Sequence, residues 1–148
     1  GCFPLVPFSN RIAGSAFTWA GRRIALAPNH PDNPAEPAMH GLGWRLPWQV
    51  ADTAPGRLDL VLAVPAGAWP WPFTAQQRFV LDDAGATFTL ALINHGDTPM
   101  PAGLGFHPFF PRDACTRLEG LHRGEWQVDA ACLPTTLDER ATAIDWWD

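Results

Sequence analysis

The chain has 148 residues, 47% hydrophobic and 17% charged, which suits one globular core and is too apolar for a disordered chain. Its net charge of −5 sets ten basic residues, all arginine, against fifteen carboxylates, with no basic stripe and no block of like charge, which argues against nucleic acid as a partner. The longest apolar stretches, such as Leu60 to Ala68, are broken by Pro65 and Gly67 well short of a bilayer span, and no charged segment leads into an apolar run near Gly1, so no membrane partner is expected and the cytoplasm is the default location.

Sixteen prolines and thirteen glycines cut the chain into runs of about five to nine residues and leave no long window with helical apolar spacing. The apolar run Cys2 to Phe8 leads into the polar group Ser9-Asn10-Arg11. Ser15 to Trp19 and Arg22 to Leu26 flank an Ala-Gly turn and predict a hairpin. From Asn29 to Met39, with Pro28 just before, prolines 28, 31, 34 and 37 stand among polar residues; this predicts a long surface loop, a type of segment that often carries function. Arg57 to Val64 alternates Leu58, Leu60, Leu62 and Val64 on one face and stops at Pro65. Gln76 to Leu81 runs into the turn cluster Asp82-Asp83-Ala84-Gly85, and Thr87 to Asn94 follows with Phe88, Leu90 and Leu92 in alternation, predicting an antiparallel hairpin. Glu125 to Ala130 adds a short strand. The whole reads as one domain over residues 1–148, an all-β antiparallel sandwich or barrel.

Cys2, Cys115 and Cys132 are an odd number without CxxC spacing. That opposes a disulfide framework or a zinc site and predicts buried small apolar residues.

Three islands could carry chemistry. Arg11, at a strand entrance, is on local grounds either a surface ion-pair partner or a planar fork of donors for adjacent hydroxyls of a polyol. His40, after the proline-rich loop, stands before Gly41 and Gly43 with Trp44 and Trp48 nearby; it is either solvent-exposed filler or a site residue. His107 lies in Pro101-Ala102-Gly103-Leu104-Gly105-Phe106-His107-Pro108-Phe109-Phe110, where Phe106, Phe109 and Phe110 are expected to wall the imidazole from water and tune it near neutrality. Its alternative is a satisfied core histidine. Eight tryptophans include Trp69-Pro70-Trp71-Pro72, whose rings suit either core packing or the face of a pyranose. His30, His95 and His122 receive no role, and no third ligand joins His30 and His40 at metal-binding spacing.

In this order, Pro7-Phe8-Ser9-Asn10-Arg11-Ile12, His40-Gly41 and Gly103-Leu104-Gly105-Phe106-His107-Pro108-Phe109-Phe110 resemble the aldose 1-epimerase family. Trp126-Gln127-Val128-Asp129 with Leu133-Pro134-Thr135 is similar to the stretch that follows the family's catalytic histidine. The resemblance implies a galactose mutarotase-like antiparallel β-sandwich, incomplete here, because family chains are longer and the match covers a middle portion. It implies interconversion of the α and β anomers of a free hexose by acid–base ring opening and reclosure, with no metal or organic cofactor. By resemblance, Arg11 holds the sugar with Asn10 orienting it, His107 is the general acid toward the ring oxygen, and His40 is the second active-site histidine. Trp69 and Trp71 are further candidates for sugar contact, and Asn94 for a supporting role. The family's base is a glutamate near its C-terminus that Glu36, Glu119, Glu125 and Glu139 do not match; it is expected downstream of Asp148, so the chain by itself is expected to be inactive. Two other readings stay open: a hexose-6-phosphate mutarotase, for which Arg45, Arg78 and Arg112 are available cations, and a non-catalytic carbohydrate-binding domain of the same fold.

Overall fold

A computed structural model describes residues 1–116 and 123–139; Glu119 and His122 lie outside the described residues. The described chain has ten strands and no α-helix, and every strand pair is antiparallel. It divides into two compact units, Gly1–Pro108 and Phe109–Asp148.

The first unit is built on a four-stranded meander: β4 (Gln49–Ala54), β5 (Arg57–Val64), β6 (Phe73–Asp82) and β7 (Gly85–Asn94), paired in chain order. Two tight turns set its register. At the first, Gly56 has φ +73°, and a Cβ there would stand 2.7 Å from the Leu81 carbonyl oxygen, so the close approach of β6 requires glycine. At the second, the Asp82 carboxylate accepts the Ala84 and Gly85 amides at 2.9 and 3.1 Å, the local bonding that makes Asp a turn former. The resulting register puts Leu62 opposite Ala75 and Val64 opposite Phe73, so the alternation read in the sequence becomes one apolar face.

That face is covered by Ile24 of β3 (Arg22–Ala25), which pairs with β2 (Ala16–Trp19), by Val6, and by the β5–β6 connection, which folds Trp69 and Trp71 inward. Val6, Ile24, Leu62, Val64, Trp69, Trp71, Phe73 and Ala75 form a single buried cluster. Each large side chain there contributes about 1.5–3 kcal/mol by leaving water. Beyond the cluster the same sheet face opens to solvent, with Phe88 and Leu81 exposed near the hairpin end.

A separate ladder joins β1 (Cys2–Leu5) to β8 (Gly105–Pro108), with Phe3 directly opposite His107. In the second unit β9 (Glu125–Val128) pairs with β10 (Pro134–Asp138) through a bulged register. The cysteine expectation is corrected: Cys2, Cys115 and Cys132 are all exposed and unpaired. Cys2 begins a strand whose burial starts two residues later, and Cys115 and Cys132 sit in turns closed by Asp113 and Asp129.

Candidate active site

The site is assembled from three stretches of the first unit that the backbone ties together. Val6 accepts the amides of Leu42 and Gly43 at 2.7 and 3.0 Å, Asn10 accepts the His40 amide at 2.8 Å, and Ala38 accepts the Ile12 amide at 2.9 Å. These bonds lay the segment from Val6 to Ile12 along residues 38–43. The approach is close enough that a Cβ on Gly41, at φ +67°, would stand 2.1 Å from the Val6 carbonyl oxygen. No side chain fits there, which explains the glycine that follows His40.

His40 itself adopts φ +59°, a conformation that costs a non-glycine residue energy and persists only when its surroundings enforce it. Asn29 enforces it. Its side-chain amide donates to the carbonyls of Met39 and Gly41, both at 2.8 Å, and its oxygen accepts the Met39 amide at 2.8 Å. The backbone on each side of His40 is thereby clamped by one residue from the start of the proline-rich loop.

The His40 ring stands edge-on to that of His107, with centroids 5.5 Å apart. Phe3 stacks on His107 at 4.6 Å and lies 6.0 Å from His40, while Trp44 meets His40 edge-on at 5.8 Å. Phe3 reaches this position because antiparallel pairing puts it on the same face as His107. The expected aromatic wall is therefore built from different residues. Phe106, one position before His107, faces the other side of β8 and packs on Phe88 at 5.9 Å, and Phe109 and Phe110 are exposed.

Burial pushes the His40 imidazole below the ordinary histidine range, and the neighbouring positive charges of His107, Arg11 and His30 push it further the same way. Its Nδ1 is buried and, among the described residues, has no hydrogen-bond partner. A neutral ring with an unmet polar atom, beside a second imidazole, is equipped to exchange a hydrogen bond or a proton with a ligand.

Arg11 is half-buried, and its Nε donates to Glu36 Oε2 at 3.0 Å. Asn10, expected to orient Arg11, instead holds His40 through its backbone carbonyl. Trp69 and Trp71 are only 2% and 7% exposed and belong to the core cluster, so their rings offer no face to a sugar. Asn94 closes its own turn, donating to the Thr98 carbonyl at 2.8 Å and accepting the Gly96 amide at 2.9 Å. Of the candidate cations for a phosphate, Arg45 donates to the Asn29 carbonyl and stacks over Trp44, and Arg78 forms a two-pronged pair with Asp59. Among the described residues no three His, Cys, Asp or Glu side chains gather to hold a metal ion, and no helix is long and apolar enough to cross a membrane. The structure brings His40 and His107 together with Arg11 near them, and adds Phe3, Asn29 and Glu36, to which sequence reasoning assigns no site role. Asn29 and Glu36 both lie in the proline-rich loop Asn29 to Met39, and that is the signal they left.

Nearly the whole chain is similar to known proteins. The family model described as Aldose 1-epimerase matches residues 1–143. The uncharacterized protein YphB of Escherichia coli (strain K12) is 36% identical over 145 residues, 93% of this chain and 49% of the relative. The uncharacterized protein YihR of the same organism is 28% identical over 140 residues, 90% of this chain and 44% of the relative. The chain thus spans about half the length of the curated relatives it matches. A crystal structure of a candidate aldose 1-epimerase from Escherichia coli K12 superposes with a TM-score of 0.81 at 34% identity, covering 95% of this chain and 47% of that one. The galactose mutarotase related enzyme of Lactobacillus acidophilus superposes at 0.61 with 18% identity, over 78% and 37% of the two chains, a likeness of fold alone.

Proposed function

The chain belongs to the aldose 1-epimerase family, and from that membership we propose that it supplies the acid and sugar-holding side of a site that interconverts the α and β anomers of a free hexose. The observation that carries the reading is the meeting of His40 and His107 at 5.5 Å under one aromatic wall, with Arg11 near enough to act on His40 by its charge.

Ring opening moves two protons: one leaves the C1 hydroxyl, and one arrives at the ring oxygen as its bond to C1 breaks. In this reading His107 donates to the ring oxygen and recovers the proton on reclosure. His40, kept neutral by burial and by its cationic neighbours, accepts a hydrogen bond from a sugar hydroxyl without adding a second positive charge beside His107. The guanidinium of Arg11 donates to adjacent hydroxyls and sets the sugar's orientation. Phe3 and Trp44 keep bulk water from the imidazoles, which strengthens each polar contact.

The C1 hydroxyl still needs a base, and the family resemblance assigns it to a glutamate outside these 148 residues; Glu36 is already engaged by Arg11. General acid–base assistance is worth ~10²–10⁴-fold, so the 148-residue chain alone is expected to leave anomer equilibration close to its buffer rate. Polarimetry of freshly dissolved α-D-glucose and α-D-galactose tests this, with the protein expressed from its natural reading frame beside the 148-residue chain. Acceleration by the former supports the reading. Sugar binding without acceleration by either points to a carbohydrate-binding module, and neither binding nor acceleration removes the sugar from the account.

A further inference from the structure

Arginine reaches its ligand through a long side chain whose rotamer freedom is worth about 2 kcal/mol, so a guanidinium that must present a fixed fork needs a second anchor. Arg11 has one. Its Nε donates to Glu36 Oε2 at 3.0 Å, and the two side chains are 20% and 30% exposed. The carboxylate is not a chance surface neighbour, because its backbone is fixed. The Glu36 amide donates to the Asn33 carbonyl at 3.1 Å, and the Asn33 side chain accepts the Ala35 amide at 3.2 Å. Just beyond Glu36, the Ala38 amide donates to Ser15 Oγ at 2.8 Å, and Met39 bridges Arg11 itself. Pro34 and Pro37 stiffen the backbone on either side of Glu36. The loop therefore returns to the strip of chain that carries Arg11 and lowers one carboxylate onto its side chain.

The geometry points to Glu36 as the positioning residue of Arg11: by taking Nε it fixes the plane of the guanidinium and leaves the two terminal nitrogens to bind adjacent hydroxyls of the sugar. An inward-facing arginine without that anchor keeps its charge but samples several rotamers, and the lost orientation appears as weaker binding rather than slower chemistry. The inference rests on the sugar-holding role proposed above for Arg11. It adds that the proline-rich loop takes part in sugar binding through Glu36, although no atom of Glu36 need touch the sugar.

Two substitutions test it in the protein expressed from its natural reading frame. Glu36→Ala is expected to raise KM for α-D-glucose or α-D-galactose about tenfold while kcat changes less than about twofold. Glu36→Gln keeps an accepting oxygen and is expected to recover most of that loss, whereas a merely structural role in the loop would lower kcat and stability together. The Arg11 Nε–H resonance, assigned by its disappearance in Arg11→Lys, is read in the same proteins by its rate of exchange with water. It should be protected in the parent and in Glu36→Gln and unprotected in Glu36→Ala. A parent that mutarotates with KM unmoved by Glu36→Ala overturns the inference and leaves the mutarotase reading intact. A parent that does not mutarotate overturns that reading instead; the Nε–H then decides alone whether Glu36 anchors Arg11, and equal exchange in all three proteins means that it does not.

Discussion

His40 and His107 present their rings edge to face at 5.5 Å, although one stands on a loop and the other on β8. Burial and the nearby charge of His107 disfavour the cationic form of His40, so His40 is the ring equipped to receive a hydrogen bond. The proposed reading gives the donating role to His107. Replacing His107 by Ala should lower kcat for anomer equilibration by ~10²–10⁴-fold in the protein from the natural reading frame. Polarimetry with α-D-galactose measures it, and an unchanged rate would remove His107 from the acid role.

The same pair has a pH signature. The His40 midpoint lies below the ordinary value of about 6.5, first through burial and then through the charges of His107, Arg11 and His30. Folded His40 thus binds fewer protons than unfolded His40, and stability rises with pH across the interval between the two midpoints. The stabilisation is complete above about pH 6.5 and is lost as pH falls from there through the folded-state midpoint. Urea unfolding at a series of pH values should show this slope, and His40→Asn, whose residue tolerates positive φ, should reduce it. In His107→Ala the His40 midpoint should move upward, which carbon-detected NMR of the imidazole reads directly; a downward move contradicts the proposed coupling.

Asn29 spends its whole amide on the backbone around His40. Loss of three hydrogen bonds at about 0.5–1.5 kcal/mol each predicts that Asn29→Ala costs about 2–4 kcal/mol. The variant should also disturb the His40 resonances before it unfolds the sheet, since the clamp acts on one loop. A denaturation midpoint equal to the parent's would show that the clamp is dispensable.

Gly41 gives a sharper steric test. With a Cβ 2.1 Å from the Val6 carbonyl oxygen and φ +67°, Gly41→Ala must push apart the two stretches that build the site. We expect a loss of several kcal/mol, about the cost of the most damaging single substitutions. At Gly67 an added Cβ meets nothing within 4 Å, so Gly67→Ala should stay within about 0.5 kcal/mol of the parent. Thermal unfolding of the two variants side by side checks the contrast.

The hairpins were legible because alternation and turn chemistry are local. Leu58 to Val64 and Phe88 to Leu92 announce the apolar face of the sheet, and Asp82 to Gly85 announces the turn between β6 and β7. β4 was not legible, since every residue from Gln49 to Ala54 is exposed and an edge strand without a buried face has no alternation to read. The site divides in the same way. Glycine and proline neighbours mark His40 and His107, but the wall of Phe3 depends on the register of β1 against β8, which joins distant parts of the chain. Arg11 meets the first of its two local readings, as the ion-pair partner of Glu36; its second, a fork for adjacent hydroxyls, is the one that the KM of Glu36→Ala tests.

The tryptophans turn on a question that composition leaves open, because a large flat ring serves a core and a sugar equally well. Burial separates the two uses. Trp69 is 2% exposed and touches Phe8, Phe17 and Trp71 with ring centroids 5.6, 5.8 and 5.5 Å away, so every face of its indole is met by protein. Trp69→Ala should therefore cost about 3–5 kcal/mol, the usual loss for a large aromatic in a packed core. Its buried Nε1 has no hydrogen-bond partner among the described residues, so the ring is held by packing alone. Trp69→Phe removes that unmet donor along with part of the ring, and the relief should offset some of the lost volume and leave a smaller deficit than Trp69→Ala. For both variants, unfolding free energy should move and KM for the sugar should stay near the parent's while the protein remains folded. A rise in KM with stability unchanged would instead return Trp69 to the sugar.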